Sequence, residues 1–387
     1  MKHPISRILS LSLLLITAIP SYAYNFERNG LCYHILSETD RTVEVTYKSQ
    51  DSSQERYVSG SLEIPPKVTY KSKTYRVVAI GYFAFNCCRN LTSVSIPNSV
   101  ITIDDYAFYA CKELTSVSIP NSVITIDDQA FMSCYKLTSV SIPNSVTKIG
   151  YGPFAYCNLT SISVDPANPN YKSIDGVLYD KHVTKLVQFP GGKKAVSIPN
   201  SVTSIGSEAF AGCELTSVSI PNSVTSIERE AFAECGLTSV FIPNSVTSIG
   251  DGAFWSRINL KSIYCQATTP PTCDGSIVRE DGLEVTKLYV PIGAKASYEA
   301  VDPWRNFWYI EEYDFSGIDD TIDDNDGLQV TVTDGIVSIT GMTDNLQVAV
   351  YDMQGRTIHN STENTISNLA PGIYIAKCGS KTIKFTI

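Results

Sequence analysis

Short stretches of the chain alternate apolar and polar residues, and each such stretch runs into a proline. In one copy, Val94 and Ile96 alternate with Ser93 and Ser95. A period of two residues is typical of a β-strand that buries one face. Pro97 ends the strand because proline has no N–H group to donate to a ladder of hydrogen bonds. The pattern therefore predicts a short strand followed by a bend.

The same stretch recurs through most of the chain. The string Leu-Thr-Ser-Val-Ser-Ile-Pro-Asn-Ser-Val begins at Leu91, Leu114, Leu137 and Leu215, and with one change at Leu237. A unit this short cannot bury its own apolar side, whereas stacked units form one continuous core. Each copy is accompanied by a phenylalanine, usually preceded by alanine, and successive phenylalanines are 22 or 23 residues apart except for one gap of 56. These repeat phenylalanines are Phe85, Phe108, Phe131, Phe154, Phe210, Phe232 and Phe254.

The repeat predicts a solenoid in which each coil has a strand, a bend, a second extended stretch and a short helical turn. Its unit, Leu-x-x-Val-x-Ile-Pro-x-x-Val-x-x-Ile-x-x-x-Ala-Phe-x-x-Cys, resembles the BspA-like (Treponema-type) leucine-rich repeats of bacterial surface proteins. The resemblance covers residues 25–313 and implies a mainly β leucine-rich-repeat solenoid of 22–23-residue coils. It also implies an N-terminal cap with the first coil at 24–90, repeats at 91–264 and a C-terminal cap at 265–313.

The repeat is interrupted once, at residues 165–192. Apolar residues continue to alternate there, as at Ile174 and Leu178, so we expect an irregular extra coil with projecting loops rather than a separate domain. Loops that project from a rigid scaffold often carry recognition residues. A tolerated insertion without a role in binding is the alternative.

The first 23 residues have the features of a secretory signal peptide. Lys2 and Arg7 form a basic segment before a short apolar run. Ser21-Tyr22-Ala23 places small residues at the cleavage positions. The apolar run is too short to span a bilayer. We expect cleavage after Ala23 and a protein that is secreted or displayed on the outer-membrane cell surface.

The composition changes after residue 313. Residues 314–327 are acidic and rich in turn formers, which indicates a linker. Residues 328–387 contain short apolar stretches between glycines and predict a small β-sandwich.

This last module resembles the C-terminal sorting domain of type IX secretion cargo. The matching segments are 350–356, 369–374 and the terminal 384–387. The resemblance implies recognition by the type IX secretion machinery and a place on the bacterial surface, and a folded stabilising tail is the alternative. The residues that carry the sorting motif are Gly355, Pro371, Gly372, Tyr374 and Lys384.

Six cysteines each follow a repeat phenylalanine by three residues, so stacking puts them in one column. Cysteine behaves as a small hydrophobe when buried, and we expect a column of buried thiols. A metal-binding or redox column is the alternative, but no histidine shares the repeat position. The six are Cys88, Cys111, Cys134, Cys157, Cys213 and Cys235.

Charge and motifs narrow the functional classes. The formal net charge of −9 argues against nucleic-acid binding, which needs a basic surface. The sequence contains no Gly-x-Ser-x-Gly elbow, no glycine-rich phosphate loop and no metal-ligand spacing among its four histidines. We therefore expect a protein that is not an enzyme and that has no cofactor or metal.

Binding is the remaining class, and aromatic residues mark where it would occur, because they are enriched at the centres of interfaces. The family resemblance implies adhesion to host or microbial surface proteins. A surface glycan-binding module and a structural surface-layer component are the alternatives, and the sequence leaves the oligomeric state open. The candidate binding surface consists of Tyr82, Tyr106, Tyr109, Tyr135, Tyr151, Tyr156, Phe241 and Trp255.

Overall fold

The computed structural model describes residues 24–48, 58–256 and 260–315, together with 329–333, 336–340, 347–352, 356–367, 369, 373–378 and 381–386 of the C-terminal module. The predicted signal peptide and most of the acidic linker lie outside these ranges. Within them, no helix is long and apolar enough to cross a membrane.

The apolar residues of the coils point inward and form two core clusters, which divide within the insertion. Val94, Ile96, Val100 and Ile103 are all at most 6% exposed, as their spacing predicts. The chain forms a mostly β solenoid of about 10 turns with coils of about 23 residues, which confirms the predicted fold class.

The N-terminal part of the solenoid is closed by an antiparallel meander. Its first three strands pair antiparallel, the third pairs parallel with the sixth, and the fifth is antiparallel to the sixth. This arrangement covers the first edge of the stack, which an open solenoid would leave exposed. The strands of this arrangement are β1 (Phe26–Arg28), β2 (Leu31–Ser37), β3 (Thr42–Thr46), β5 (Lys67–Tyr70) and β6 (Lys73–Ile80). The remaining strand of this region, β4 (Gly60–Glu63), pairs in parallel with the strand at Leu91–Ser95.

The coils that follow contribute one longer and one shorter strand each. They stack in parallel and in register, so that Thr125 lies between Thr102 and Lys148 of the neighbouring coils. The strands before the interruption are β7 (Leu91–Ser95), β8 (Thr102–Ile103), β9 (Ser116–Ser118), β10 (Thr125–Ile126), β11 (Ser139–Ile142), β12 (Lys148–Ile149) and β13 (Ser161–Val164).

The interruption supplies three strands, β14 (Tyr171–Ile174), β15 (Val177–Asp180) and β16 (Lys185–Gln188). The middle strand, β15, pairs antiparallel with both of the others. β16 pairs in parallel with the next coil and so restarts the stack. The coils after it contribute β17 (Ser204–Ile205), β18 (Ser226–Ile227), β19 (Ser239–Ile242), β20 (Ser248–Ile249), β21 (Ser262–Cys265) and β22 (Thr272–Cys273).

The short strands therefore form two separate sheets. One ends at β12, and the other runs β14-β15-β16-β17-β18-β20-β22. The insertion at 165–192 supplies the first three strands of the second sheet, and the break between β12 and β14 divides one face of the solenoid.

The predicted helical turn has a particular form, which we call the Phe turn: the seven residues centred on each repeat phenylalanine. Around Phe108, the N–H groups of Ala107 and Tyr109 bond three residues back, whereas those of Tyr106, Phe108 and Ala110 donate to the next coil. The alternation is possible because Tyr106 and Ala110 have positive φ angles of 57° and 55°. Each Phe turn is thereby stitched to its neighbour by backbone hydrogen bonds.

The repeat phenylalanines stack on one another inside the solenoid. The rings of Phe108 and Phe131 are 5.0 Å apart and nearly parallel. After the interruption, Phe189 takes the repeat position and stacks on Phe210 at 5.0 Å.

The cysteine column lies beside this stack. The Sγ of Cys134 donates to the backbone oxygen of Phe108 in the preceding coil at 3.2 Å, and Cys111 bonds Phe85 in the same way. All eleven cysteines are free thiols. The expected column of buried thiols is confirmed, and each bonded thiol donates to a carbonyl that also accepts a backbone N–H within its own Phe turn.

The last coils carry the only regular helices in the described ranges. These are α1 (Glu280–Leu283), α2 (Lys295–Glu299) and a 3-10 turn (Trp304–Asn306), set around β23 (Lys287–Pro291) and β24 (Tyr309–Tyr313). Trp304 is fully buried and its Nε1 donates to the backbone oxygen of Pro271 at 2.8 Å. Tyr298 likewise donates from its hydroxyl to Ala267 at 2.7 Å, so both polar groups are paired inside the core.

In the described residues, the C-terminal module forms two small antiparallel sheets. One contains β25 (Gln329–Thr333), β26 (Ile336–Thr340) and β29 (Thr365–Ser367), and the other has the order β28 (Thr357–Ser361), β27 (Val348–Asp352), β30 (Ile373–Cys378) and β31 (Lys381–Thr386). Val337, Ile339, Val348 and Val350 are fully buried between them, which is the predicted β-sandwich. The polar strands β28 and β29 were not predicted, because they show little apolar alternation.

Candidate functional site

Three of the predicted tyrosines expose their rings on the Phe-turn side of the solenoid. Tyr82, Tyr135 and Tyr151 are 43%, 42% and 41% exposed. A charged partner already lies over one of them, since the Nζ of Lys112 is 5.4 Å from the centre of the Tyr135 ring. The exposed rings come from different coils, because each occupies a position at or near its own Phe turn.

Half-buried rings contact one of these exposed rings, that of Tyr82. The ring centre of Tyr106 is 6.1 Å from that of Tyr82 and 5.9 Å from that of Tyr109. Phe83, which the sequence analysis missed, stacks on Tyr106 at 4.9 Å. Phe83 and Tyr106 each lie two residues before a repeat phenylalanine, so an alignment of the repeats would have shown that their side chains are neighbours. We call Tyr82, Phe83, Tyr106, Tyr109, Tyr135 and Tyr151 the aromatic surface.

Tyr156 and Trp255 have a different environment from the aromatic surface. Both are partly buried against the small side chains Ala155, Ala211 and Ala233. The Tyr156 ring fills the space over Gly212, where a Cβ atom would lie 2.3 Å from the ring. These two side chains therefore cover the seams between coils more than they offer a free ring.

Phe241 is not on the exposed surface, contrary to the expectation for a binding residue. It is 2% exposed and packs with Tyr264 and Phe315. Its side chain does point away from the solenoid core, at the strand position where other coils have serine. Phe315, two residues after the end of β24, covers the Phe241 ring. The sequence analysis did not predict this contact.

Carboxylates border the aromatic surface and tie its coils together. Asp105 accepts the backbone N–H of Asp128 at 2.9 Å, and Asp128 accepts that of Tyr151 at 3.0 Å. Burial raises the pKa of Tyr151 to about 12, and the negative charge of Asp128 adds to the effect. Burial also raises the pKa of Tyr106, with a further contribution from Glu208. The surface is therefore both aromatic and negative.

The sequence analysis did not single out these acids. The signal was present, because Asp105 and Asp128 occupy the same position three residues before the repeat phenylalanine. Glu208 is different: it is 1% exposed, its Oε1 accepts a hydrogen bond from Gln129, and its Oε2 has no partner among the described residues. Burial raises the pKa of its carboxyl to about 7.

The sorting motif is only partly visible. Tyr374 is buried and stacks on Phe385 at 5.7 Å, and Lys384 lies in β31 opposite Ile375. Gly355, Pro371 and Gly372 lie outside the described residues. Among the residues that the structure describes, no group of three or more His, Cys, Asp or Glu side chains is placed to hold a metal ion.

Comparison with known families places both parts of the chain. The BspA type leucine-rich repeat region matches residues 66–179 and 192–274 in six copies. The secretion system C-terminal sorting domain matches residues 329–387. The gap between the two repeat matches falls inside the insertion at 165–192.

Solved structures with similarity to this chain are bacterial repeat proteins. A leucine-rich repeat protein from Bacteroides ovatus is 26% identical, with 75% of this chain and 76% of that chain covered and a TM-score of 0.44. The pneumococcal vaccine antigen PcpA is 19% identical, with coverages of 74% and 97% and a TM-score of 0.42. A leucine-rich cell surface protein from Faecalibacterium prausnitzii is 22% identical, with coverages of 74% and 94% and a TM-score of 0.40. No curated protein matches the chain.

The family match spans half of the chain and coincides with the stacked coils, and the second match coincides with the β-sandwich. The chain therefore belongs to the BspA-type leucine-rich repeat family and ends in a type IX secretion sorting domain.

Proposed function

We propose that the protein is a non-enzymatic adhesin that is exported to the bacterial surface and binds proteins of a host or of another microbe. The aromatic surface is the observation that carries the proposal. It comprises six aromatic side chains from consecutive coils. Ring contacts join four of them, Tyr82, Phe83, Tyr106 and Tyr109, and three of the six rings are more than 40% exposed. Tyrosine is enriched among the residues that dominate binding energy at protein interfaces.

The solenoid suits this role because it holds those rings rigidly. Each ring sits on or next to a Phe turn that is bonded to the next coil through backbone groups. A rigid surface loses little conformational entropy on binding, which leaves more of the contact energy for affinity. The sorting domain supports delivery of this surface to the cell exterior.

The test is a binding screen of the chain that begins at Tyr24. The purified protein is applied at physiological salt to arrays of host extracellular-matrix proteins, bacterial surface proteins, and glycans. A variant with Tyr82→Ala and Tyr135→Ala removes two exposed rings, and Tyr309→Ala is the control, because Tyr309 is 48% exposed outside the aromatic surface.

We expect saturable binding to a protein that weakens at least about tenfold in the double variant and is unchanged in the control. Binding that survives the double variant would overturn the assignment to the aromatic surface. Binding to glycans alone would replace the adhesin proposal with the glycan-binding alternative. An absence of binding on every array would contradict both the adhesin proposal and the glycan-binding alternative.

A further inference from the structure

A cleft of about 430 Å³ opens where the insertion divides the solenoid. One wall comes from the coils of β10 and β12 and includes Asp128 and Tyr151, and the other includes Lys185 and Glu228. β12 is the last strand of its sheet and β14 is the first strand of the next. The cleft is therefore the space between two sheets that would have been continuous in an uninterrupted repeat.

Residues of the insertion line the cleft and form hydrogen bonds with its edge. The Tyr171 hydroxyl oxygen accepts the backbone N–H of Ile149, at 2.8 Å, on the edge of β12. Asn168 is fully buried, and its Nδ2 donates to the backbone oxygens of Pro143 and Val146 at 2.8 and 3.0 Å. Its Oδ1 in turn accepts the N–H of Tyr171 at 2.8 Å. The rim is thus held by hydrogen bonds, of which those that Asn168 donates are buried.

The charges that line the cleft do not balance. Three carboxylates, those of Asp128, Asp180 and Glu228, face one ammonium group, that of Lys185. Lys185 pairs with Glu228 at 2.6 Å, and the Asp180 carboxylate accepts its hydrogen bonds from Thr184 and Lys185. Two negative charges remain without a cation among the residues that line the cleft. Lys148, next to Ile149, pairs with Asp127 at 2.6 Å and acts on Asp128 only through space, and Asp128 lies next to the exposed ring of Tyr151.

We propose that the cleft binds the guanidinium group of an arginine side chain that a protein partner inserts. An aromatic ring beside a carboxylate attracts a cation through both charge and the ring face. Guanidinium suits the site better than ammonium because it stacks on rings and offers planar donors to a carboxylate. A neutral sugar would leave the two negative charges uncompensated, and an anion would be repelled. This inference rests on the proposed protein-binding function and names the chemistry of the partner.

The experiment measures binding of a small probe to the chain that begins at Tyr24. N-acetyl-arginine methylamide is titrated and followed by saturation-transfer NMR, alongside the neutral citrulline derivative and the lysine derivative. The variant is Asp128→Asn, which keeps an oxygen to accept the Tyr151 N–H. The control is Asp251→Asn, because Asp251 occupies the same repeat position and accepts the N–H of Ser276 at 2.8 Å in the same way, away from the cleft.

We expect saturable binding of the arginine probe, no binding of the citrulline probe, and a loss of about tenfold in Asp128→Asn but none in Asp251→Asn. Equal binding of citrulline, or an unchanged affinity in Asp128→Asn, overturns the proposal. Equal binding of the lysine derivative overturns the choice of guanidinium. The two proposals fail separately: an array hit that Asp128→Asn leaves intact refutes the cleft alone, whereas probe binding with silent protein arrays refutes the adhesin alone.

Discussion

Gln129 donates a hydrogen bond to the buried carboxylate of Glu208, a residue 79 positions later in the chain. The backbone N–H of Tyr156 similarly donates to Ala211 at 3.1 Å. On the Phe-turn side, the coils on either side of the insertion therefore stack directly, although residues 165–192 separate them in sequence. Gly152 makes room for this, since a Cβ there would lie 2.3 Å from the Glu208 Oε2.

This contact makes stability depend on pH. The pKa of Glu208 is raised to about 7, first by burial, whereas an exposed glutamate has a pKa near 4.3. Because the pKa of Glu208 is higher in the folded than in the unfolded protein, the stability that Glu208 contributes is fully present below about pH 4.3. It is lost as pH rises through about 7. Glu208→Gln should therefore stabilise the protein at pH 8, by up to roughly 3 kcal/mol, and change little at pH 4.

Urea unfolding of wild type and variant at several pH values checks this prediction. Glu113→Gln is the control, because Glu113 forms an ion pair with Lys136 at 2.6 Å near the surface and does not contribute to the raised pKa of Glu208. A difference between wild type and Glu208→Gln that stays constant with pH would contradict the assignment.

The cysteine column makes a second prediction, about reactivity. Burial raises the pKa of Cys134 and Cys157 well above the ordinary range of a thiol, so little thiolate forms. Cys87 and Cys273 are the half-buried thiols among the eleven. At pH 8, a thiol reagent such as DTNB should modify at most these two quickly in the folded protein, and all eleven after denaturation. Fast native reaction that persists in a Cys87→Ser and Cys273→Ser variant would show that the column is accessible.

Much of the fold was predictable because each coil repeats the same short pattern of apolar and polar residues. The strand, the bend, the buried Val94 and Ile96 and the thiol column all follow from short-range spacing. The contacts that the sequence did not reveal join distant segments. Glu208 reaches Gln129, and Phe315 covers Phe241, only after the insertion and the C-terminal cap have taken their places. Such contacts depend on tertiary position, which no local period encodes.

Deletion of the sorting domain gives a third prediction. Residues 329–387 match a domain that secretion machinery reads, and this module has its own buried core. Removal of residues 328–387 should therefore leave the solenoid folded but abolish its surface display in the native bacterium. Protease accessibility on intact cells measures display, and circular dichroism of the truncated protein controls for folding. Unchanged display would support the alternative that the module is a stabilising tail.

Phe241 supplies a fourth prediction, in which a change toward the repeat consensus destabilises the protein. Ser95, Ser118 and Ser141 occupy the equivalent strand position, so Phe241→Ser restores the common residue. The ring of Phe241 is nevertheless buried, with its centre 5.9 Å from that of Phe315, and Tyr264 pairs beside it in the next coil.

Loss of this ring should lower the free energy of unfolding by about 3 kcal/mol, the usual cost of truncating a buried phenylalanine. Chemical denaturation measures the loss, and Ser141→Ala, at an exposed equivalent position, should change stability by less than about 0.5 kcal/mol. Limited proteolysis adds a local readout, because the segment from Tyr313 to Phe315 packs on this cluster and should become cleavable in Phe241→Ser. An unchanged midpoint together with an uncut segment would mean that the aromatic cluster does not hold the end of the solenoid.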